Sequence, residues 1–99
     1  MLRREKLLMN NKIYKGCRIC GYGNFYNDEL PWGEDGETPT FNFCPCCGCE
    51  FGYVDCKIEA IREYRNTWIK NSAKWYDQKI RPINWSLEEQ LKKIPKEYL

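Results

Sequence analysis

The chain contains no histidine. That absence removes the commonest general base and every Ser-His or Cys-His arrangement for nucleophilic chemistry. A long apolar run is missing too. Near the start, Leu7-Leu8-Met9 is the only apolar stretch beside Arg3-Arg4-Glu5-Lys6, far too short for a signal-peptide core or a membrane span. No membrane partner is expected, and Met9 offers an alternative start. Lysine and arginine are absent from residues 21–56, which carry seven acidic side chains. The flanks are basic: residues 1–20 sum to +5 and residues 57–99 to +4, so the overall +2 hides a strongly acidic middle.

Against these absences stand seven cysteines in 99 residues. The number is odd and no secretion signal precedes them, so a reduced, metal-loaded, cytoplasmic protein is expected rather than a disulfide framework. Two groups share one pattern, Cys17-Arg18-Ile19-Cys20-Gly21 and Cys44-Pro45-Cys46-Cys47-Gly48. Each is C-x-x-C followed by glycine, the layout of a zinc ribbon. The tight turn aims backbone N–H groups at the first sulfur, and the glycine takes the left-handed conformation that ends the turn. One structural Zn²⁺ on Cys17, Cys20, Cys44 and Cys47 is the expected cofactor. A chain this short buries a modest core, and such a site supplies the staple that small folds need. Four thiolates with Zn²⁺ add −2, leaving the loaded protein near neutral.

The second group holds two overlapping registers, 44/47 and 46/49. Glycine follows the second cysteine only in the first; the other would force Glu50 into the left-handed region. Cys46, Cys49 and Cys56 are left over. Read as surplus thiols they pack as small apolar groups; read functionally they are redox-switched or exchanging ligands. No basic residue sits beside Cys46 or Cys49 to stabilise a thiolate.

The expected fold class is α+β: a small zinc ribbon of antiparallel strands followed by a part with about two helices. An N-terminal extension covers 1–11, the ribbon 12–56, and a helical segment packed on it 57–99, all one structural domain. Residues 12–15, 41–43 and 51–54 read as strands flanking the two turns. Ile58, Ile61, Tyr64, Trp68 and Ile69 recur at helical spacing, with Glu59, Arg62, Glu63 and Arg65 mostly off that face and Asn71-Ser72 closing the helix. A second helix opens at Ser86 with Glu89 at capping-box spacing, carries Leu87, Leu91 and Ile94, and ends at Pro95. Trp68, Trp75 and Trp85 are expected to dock the helices.

These residues carry a resemblance. Besides the first cysteine turn, the run from Cys44 through Gly48-Cys49-Glu50-Phe51-Gly52-Tyr53, then Tyr64-Arg65, Trp68, Lys74-Trp75-Tyr76, Pro82, Trp85 and Gln90-Leu91, resembles the cysteine-rich CPCC family of uncharacterised bacterial zinc-ribbon-like proteins. The resemblance implies a zinc-ribbon-like fold with a helical C-terminal part, and immunity or inhibitor roles in toxin and phage conflict. Family members often have an aromatic where Cys49 stands and an acid near Cys56, which implies that neither cysteine is an obligatory ligand.

A closed four-thiolate site leaves no open position for water or substrate, so no enzymatic activity is expected. The acidic loop places Phe25, Tyr26, Leu30 and Trp32 among acids, either an apolar anchor with a negative rim or, at Pro31-Trp32, a segment folded back on the ribbon as core. A protein target with a basic surface is therefore expected, met by Asp28, Glu29, Trp32, Glu34, Asp35 and Glu37, in an immunity-like or inhibitor role. The alternative is a nucleic-acid-binding zinc-ribbon regulator using Lys12, Lys15 and Arg18 with Arg62, Arg65, Lys70 and Lys74. It ranks second because the acidic middle repels phosphates. A thiol redox role ranks third.

Overall fold

The computed structural model describes residues 13–99. The extension over 1–11 and Lys12 lie outside the described residues. Helix α1, Ile58–Lys70, forms where the sequence repeats apolar side chains every three or four positions. Ile61 and Trp68 are buried on its inner face. Glu59 in the first turn and Lys70 in the last suit the helix dipole. Asn71 caps α1, and Ser72 and Ala73 both take positive φ (74° and 48°), reversing the chain. The N–H of Ala73 reaches back to the Trp68 carbonyl at 2.8 Å, and the Trp68 indole donates to the Lys74 carbonyl at 2.8 Å, which locks the exit.

Helix α2, Leu87–Leu91, is short. Ser86 caps it as its spacing predicts, its hydroxyl oxygen accepting from the Glu89 N–H at 3.2 Å. Beyond it Ile94 is buried and Pro95 turns the chain into a last 3₁₀ turn, Lys96–Tyr98. Two further 3₁₀ turns occupy Asn27–Glu29 and Gln78–Ile80.

The structure corrects the expected α+β class. Among the described residues there is no β-strand and no sheet, so the antiparallel strands of a zinc ribbon are not present. One isolated antiparallel bridge, Phe43 with Glu50, is all the pairing around the second cysteine group. The reason lies in the backbone. Phe41 sits at φ +62°, which no strand tolerates, and residues 51–54 curl so that the N–H groups of Tyr53 and Val54 both return to the Glu50 carbonyl. Near the chain's first described residues, Tyr14 folds over and donates its hydroxyl to the Cys17 carbonyl at 3.0 Å instead of leading a ladder. Apolar–polar alternation over three or four residues is a weak strand signal, and here turn chemistry wins.

The core is built from sulfur and aromatic rings. Six cysteines, Ile19, Phe51, Ile61, Trp68, Ala73 and Trp75 form one buried cluster. Around it the rings meet edge to face: Tyr22 on Phe25 (5.1 Å) and on Trp75 (5.6 Å), Phe25 on Phe51 (5.7 Å), Trp75 on Trp85 (5.4 Å). Each such pair adds roughly 0.5–1.5 kcal/mol beyond area burial. The three tryptophans therefore dock the C-terminal segments on the cysteine core. Among the described residues no helix is long and apolar enough to cross a membrane.

Candidate metal centre

Each cysteine group folds into the same turn. In the first, the Gly21 N–H donates to the Cys17 carbonyl (3.0 Å) and the Cys17 N–H to the Tyr22 carbonyl (2.8 Å). In the second, Gly48 donates to Cys44 (2.9 Å) and Cys44 to Cys49 (2.8 Å). Gly21 and Gly48 stand at φ +87° and +80°, the left-handed geometry their positions demand, while Glu50 keeps a negative φ. The Cys46 N–H points at the Cys44 sulfur at 3.4 Å. A Cβ at Gly21 would lie 2.4 Å from the Gln90 carbonyl oxygen, so α2 closes directly on the first turn. Gly21→Ala should destabilise the loaded protein by at least about 1–2 kcal/mol from the backbone alone, read as a lower urea midpoint.

The two turns face each other and bring four sulfurs together. Those of Cys17, Cys20, Cys44 and Cys47 all lie within 4.8 Å of one another, an arrangement that could hold a metal ion. Cys17 and Cys47 Sγ are 3.7 Å apart, and Cys20 and Cys44 Sγ 3.6 Å. All four residues are buried. Burial pushes the Cys20 and Cys47 thiols well up. Burial also acts against ionising Cys17, yet hydrogen bonds from Cys20, Cys44, Cys47 and Cys49 hold it well below its ordinary value. Converging buried sulfurs, one of them favoured as a thiolate, are the chemistry of a cation site.

Side chains from distant segments hold the turns from outside. The Gln90 amide donates to the Cys20 carbonyl (3.0 Å) and to the Cys46 sulfur (3.3 Å), and accepts from the Trp85 indole (2.7 Å). The Tyr64 hydroxyl donates to the Cys47 carbonyl at 3.0 Å. Arg65 is buried on the inner face of α1, contrary to its expected place off that face. Its Nε donates to the Ile19 carbonyl (2.7 Å) and its Nη2 to the carbonyls of Arg18 (3.0 Å) and Tyr98. Burial lowers the Arg65 pKa, and the sulfurs of Cys17, Cys20 and Cys47 act to raise it. A cation thus stands behind the first turn.

Sequence reading missed Arg65, Gln90 and Asp55 as supports. A signal existed for two of them: Arg65 lies between Ile61 and Trp68 at four- and three-residue spacing, and Gln90 falls three after Leu87. Asp55 is buried, accepting from the Gly52 N–H (2.7 Å) and the Trp32 indole (2.8 Å), and nothing in its sequence context announces this.

The loop residues assigned to partner binding divide. Asp28, Glu29, Glu34 and Glu37 are exposed. Trp32 is half-buried, its indole on Asp55 and its ring under the Arg18 guanidinium at 3.9 Å. Asp35 is exposed but engaged within the loop, and the N–H of Glu37 followed by the Thr38 hydroxyl holds its carboxyl below the usual range. Leu30 and Pro31 are buried and Tyr26 is exposed. Beside the centre, a groove of about 1220 Å³ is lined by Tyr22, Phe25, Phe43, Trp75 and Trp85.

Comparison with known proteins finds two similar chains from Bacillus subtilis (strain 168). The chain is 38% identical to the uncharacterized protein YozI, over 64% of this chain and 62% of that protein. It is 49% identical to the uncharacterized protein YoaQ, over 64% of this chain and 63% of that protein. The matched region thus spans a little under two thirds of either relative. No family model matches. No solved structure matches.

Proposed function

We propose that this protein is a zinc-stabilised binding module of the cysteine-rich CPCC kind, without enzymatic activity, that acts by gripping another protein. The observation carrying this reading is the closed sulfur site. A regular tetrahedron with metal–sulfur bonds of about 2.3 Å has edges of about 3.8 Å, and the Cys17–Cys47 and Cys20–Cys44 separations of 3.7 and 3.6 Å fit it. A buried four-thiolate set suits Zn²⁺ in a structural role, with no position left for a water or substrate. The seven free cysteines agree with a reducing compartment such as the cytoplasm.

The acidic loop supports a basic protein target, in the manner of an inhibitor or immunity protein. Asp28, Glu29, Glu34 and Glu37 are exposed, while Trp32 serves the loop's own packing. Two arginines counted toward a nucleic-acid face are otherwise engaged: Arg65 is buried, and Arg18 lies between the Trp32 and Tyr98 rings and donates to the Asp55 carbonyl. That weighs against phosphate binding.

The test is affinity capture of the zinc-loaded protein with and without nuclease, followed by binding measurements on the captured species. Changing Asp28 to Asn and Glu29, Glu34 and Glu37 to Gln together should weaken a protein partner on the order of tenfold at low salt, with little change in thermal stability. Asp35 is left intact because its carboxylate holds the loop. Unchanged affinity would remove the acidic loop from the interface; co-elution lost on nuclease treatment would favour nucleic acid.

A further inference from the structure

Six of the seven cysteines are buried in one cluster, two more than a four-coordinate ion takes. The two extra sulfurs have different surroundings. Cys46 Sγ lies beside that of Cys20 but is held by the Gln90 amide, from which it accepts at 3.3 Å. Cys49 Sγ instead lies 3.7 Å from Cys17 Sγ, the same separation that Cys17 has from Cys47. Cys49 is 1% exposed, so its sulfur is shielded from solvent. The turn explains its position. Cys49 closes the second turn where Tyr22 closes the first, and Tyr22 there turns its ring toward Phe25 and Trp75. A cysteine in that place sets a sulfur at the rim of the ligand set, against the Cys17–Cys47 edge. Cys47 is also the ligand with residual exposure, 6%, where Cys17, Cys20 and Cys44 have none.

We propose that Cys49 is a reserve ligand: when Cys47 leaves the metal through modification or substitution, the Cys49 sulfur takes the fourth position beside Cys17, Cys20 and Cys44. This rests on the zinc reading above. In the exchange the metal–sulfur bond to Cys47 breaks, one to Cys49 forms, and the Cys49 thiol proton passes to solvent. No oxidant or reductant takes part. The centre thereby survives loss of its most accessible thiolate to an electrophile.

The test is metal binding by the reduced full chain, measured by competition against a chromophoric chelator for Zn²⁺ and by the sulfur-to-metal charge-transfer bands with Co²⁺. Wild type and Cys49→Ser should each bind one ion with similar affinity. Cys47→Ser and Cys47→Ala should retain one ion within about tenfold of wild type and show the Co²⁺ spectrum of four thiolates; adding Cys49→Ser to either should weaken binding by about a further hundredfold and give a three-thiolate spectrum. Cys20→Ser should gain nothing from Cys49, whose sulfur sits against that of Cys17 at 3.7 Å, whereas Cys20 faces Cys44 at 3.6 Å. The proposal is overturned if both Cys47 variants match their double mutants, or if neither folds nor binds with zinc present. Failure of the wild-type chain to bind Zn²⁺ would instead remove the metal reading beneath it.

Discussion

Chelating the metal at neutral pH is expected to unfold the protein rather than merely loosen it. A structural four-thiolate zinc contributes roughly 10–16 kcal/mol of apparent binding free energy, expressed as folding free energy. Whole domains are stable by only about 5–15 kcal/mol, so little remains without it. The architecture makes the dependence stronger. Among the described residues no sheet spans the molecule, and α2 has five residues, far below the length at which a helix persists alone. The two turns, and through them Gln90, Tyr64 and Arg65, are referred to the same four sulfurs. Loss of near-ultraviolet circular dichroism from Trp68, Trp75 and Trp85, with loss of α1 helicity and recovery on adding Zn²⁺, is the expected record. A chain that keeps its aromatic signal after complete chelation would show that the ring cluster folds unaided. Protons compete in the same direction: the ligands must be thiolates, so the metal contribution is full at neutral and higher pH and is lost as pH falls.

Arg65→Met should produce the second-largest effect, a destabilisation of about 3–5 kcal/mol. The guanidinium serves three backbone carbonyls, two of them between Cys17 and Cys20 and one in the last 3₁₀ turn. Methionine keeps the stem's packing but leaves the buried Ile19 carbonyl and the part-buried Arg18 and Tyr98 carbonyls without that donor. It also removes the buried positive charge behind a centre that would carry −2 with four thiolates holding Zn²⁺. Metal affinity should therefore fall together with stability. Arg65→Lys, which keeps the charge and loses the planar fork, should recover part of the affinity and less of the stability. Chemical denaturation alongside chelator competition separates the two contributions. Equal affinities in wild type and Arg65→Met would mean that the arginine holds the backbone without acting on the metal.

The parts of this molecule legible in its sequence are those fixed by a few neighbouring residues. The paired turns are written in Cys-x-x-Cys-Gly, where the glycine's left-handed conformation is a local necessity, and both glycines adopt it. The limits of α1 follow from its apolar spacing, and the start of α2 from Ser86 and Glu89. The sheet was misread because its signal was equally local but weaker. Three alternating residues at 41–43 are outvoted by one left-handed phenylalanine, and the turn at 51–54 satisfies its backbone without a partner strand. What the sequence left invisible is long-range: Arg65 reaches Ile19 across 46 positions and Gln90 reaches Cys20 across 70. A buried polar side chain with a distant partner shows in the sequence only as a polar residue at an apolar-face position, which does not name the partner. Trp32 is legible only as a choice, an anchor among acids or a Pro31-Trp32 turn folded back as core, and Asp55 beneath its indole decides for packing.

The central claim is that Cys17, Cys20, Cys44 and Cys47 hold one structural zinc ion, and X-ray absorption at the metal edge of the purified, reduced protein tests it most directly. The predicted result is one zinc per chain, four sulfur neighbours at about 2.3 Å and no oxygen or nitrogen in the first coordination sphere. Fewer than four sulfurs, an oxygen donor at shorter distance, or iron in place of zinc would contradict it.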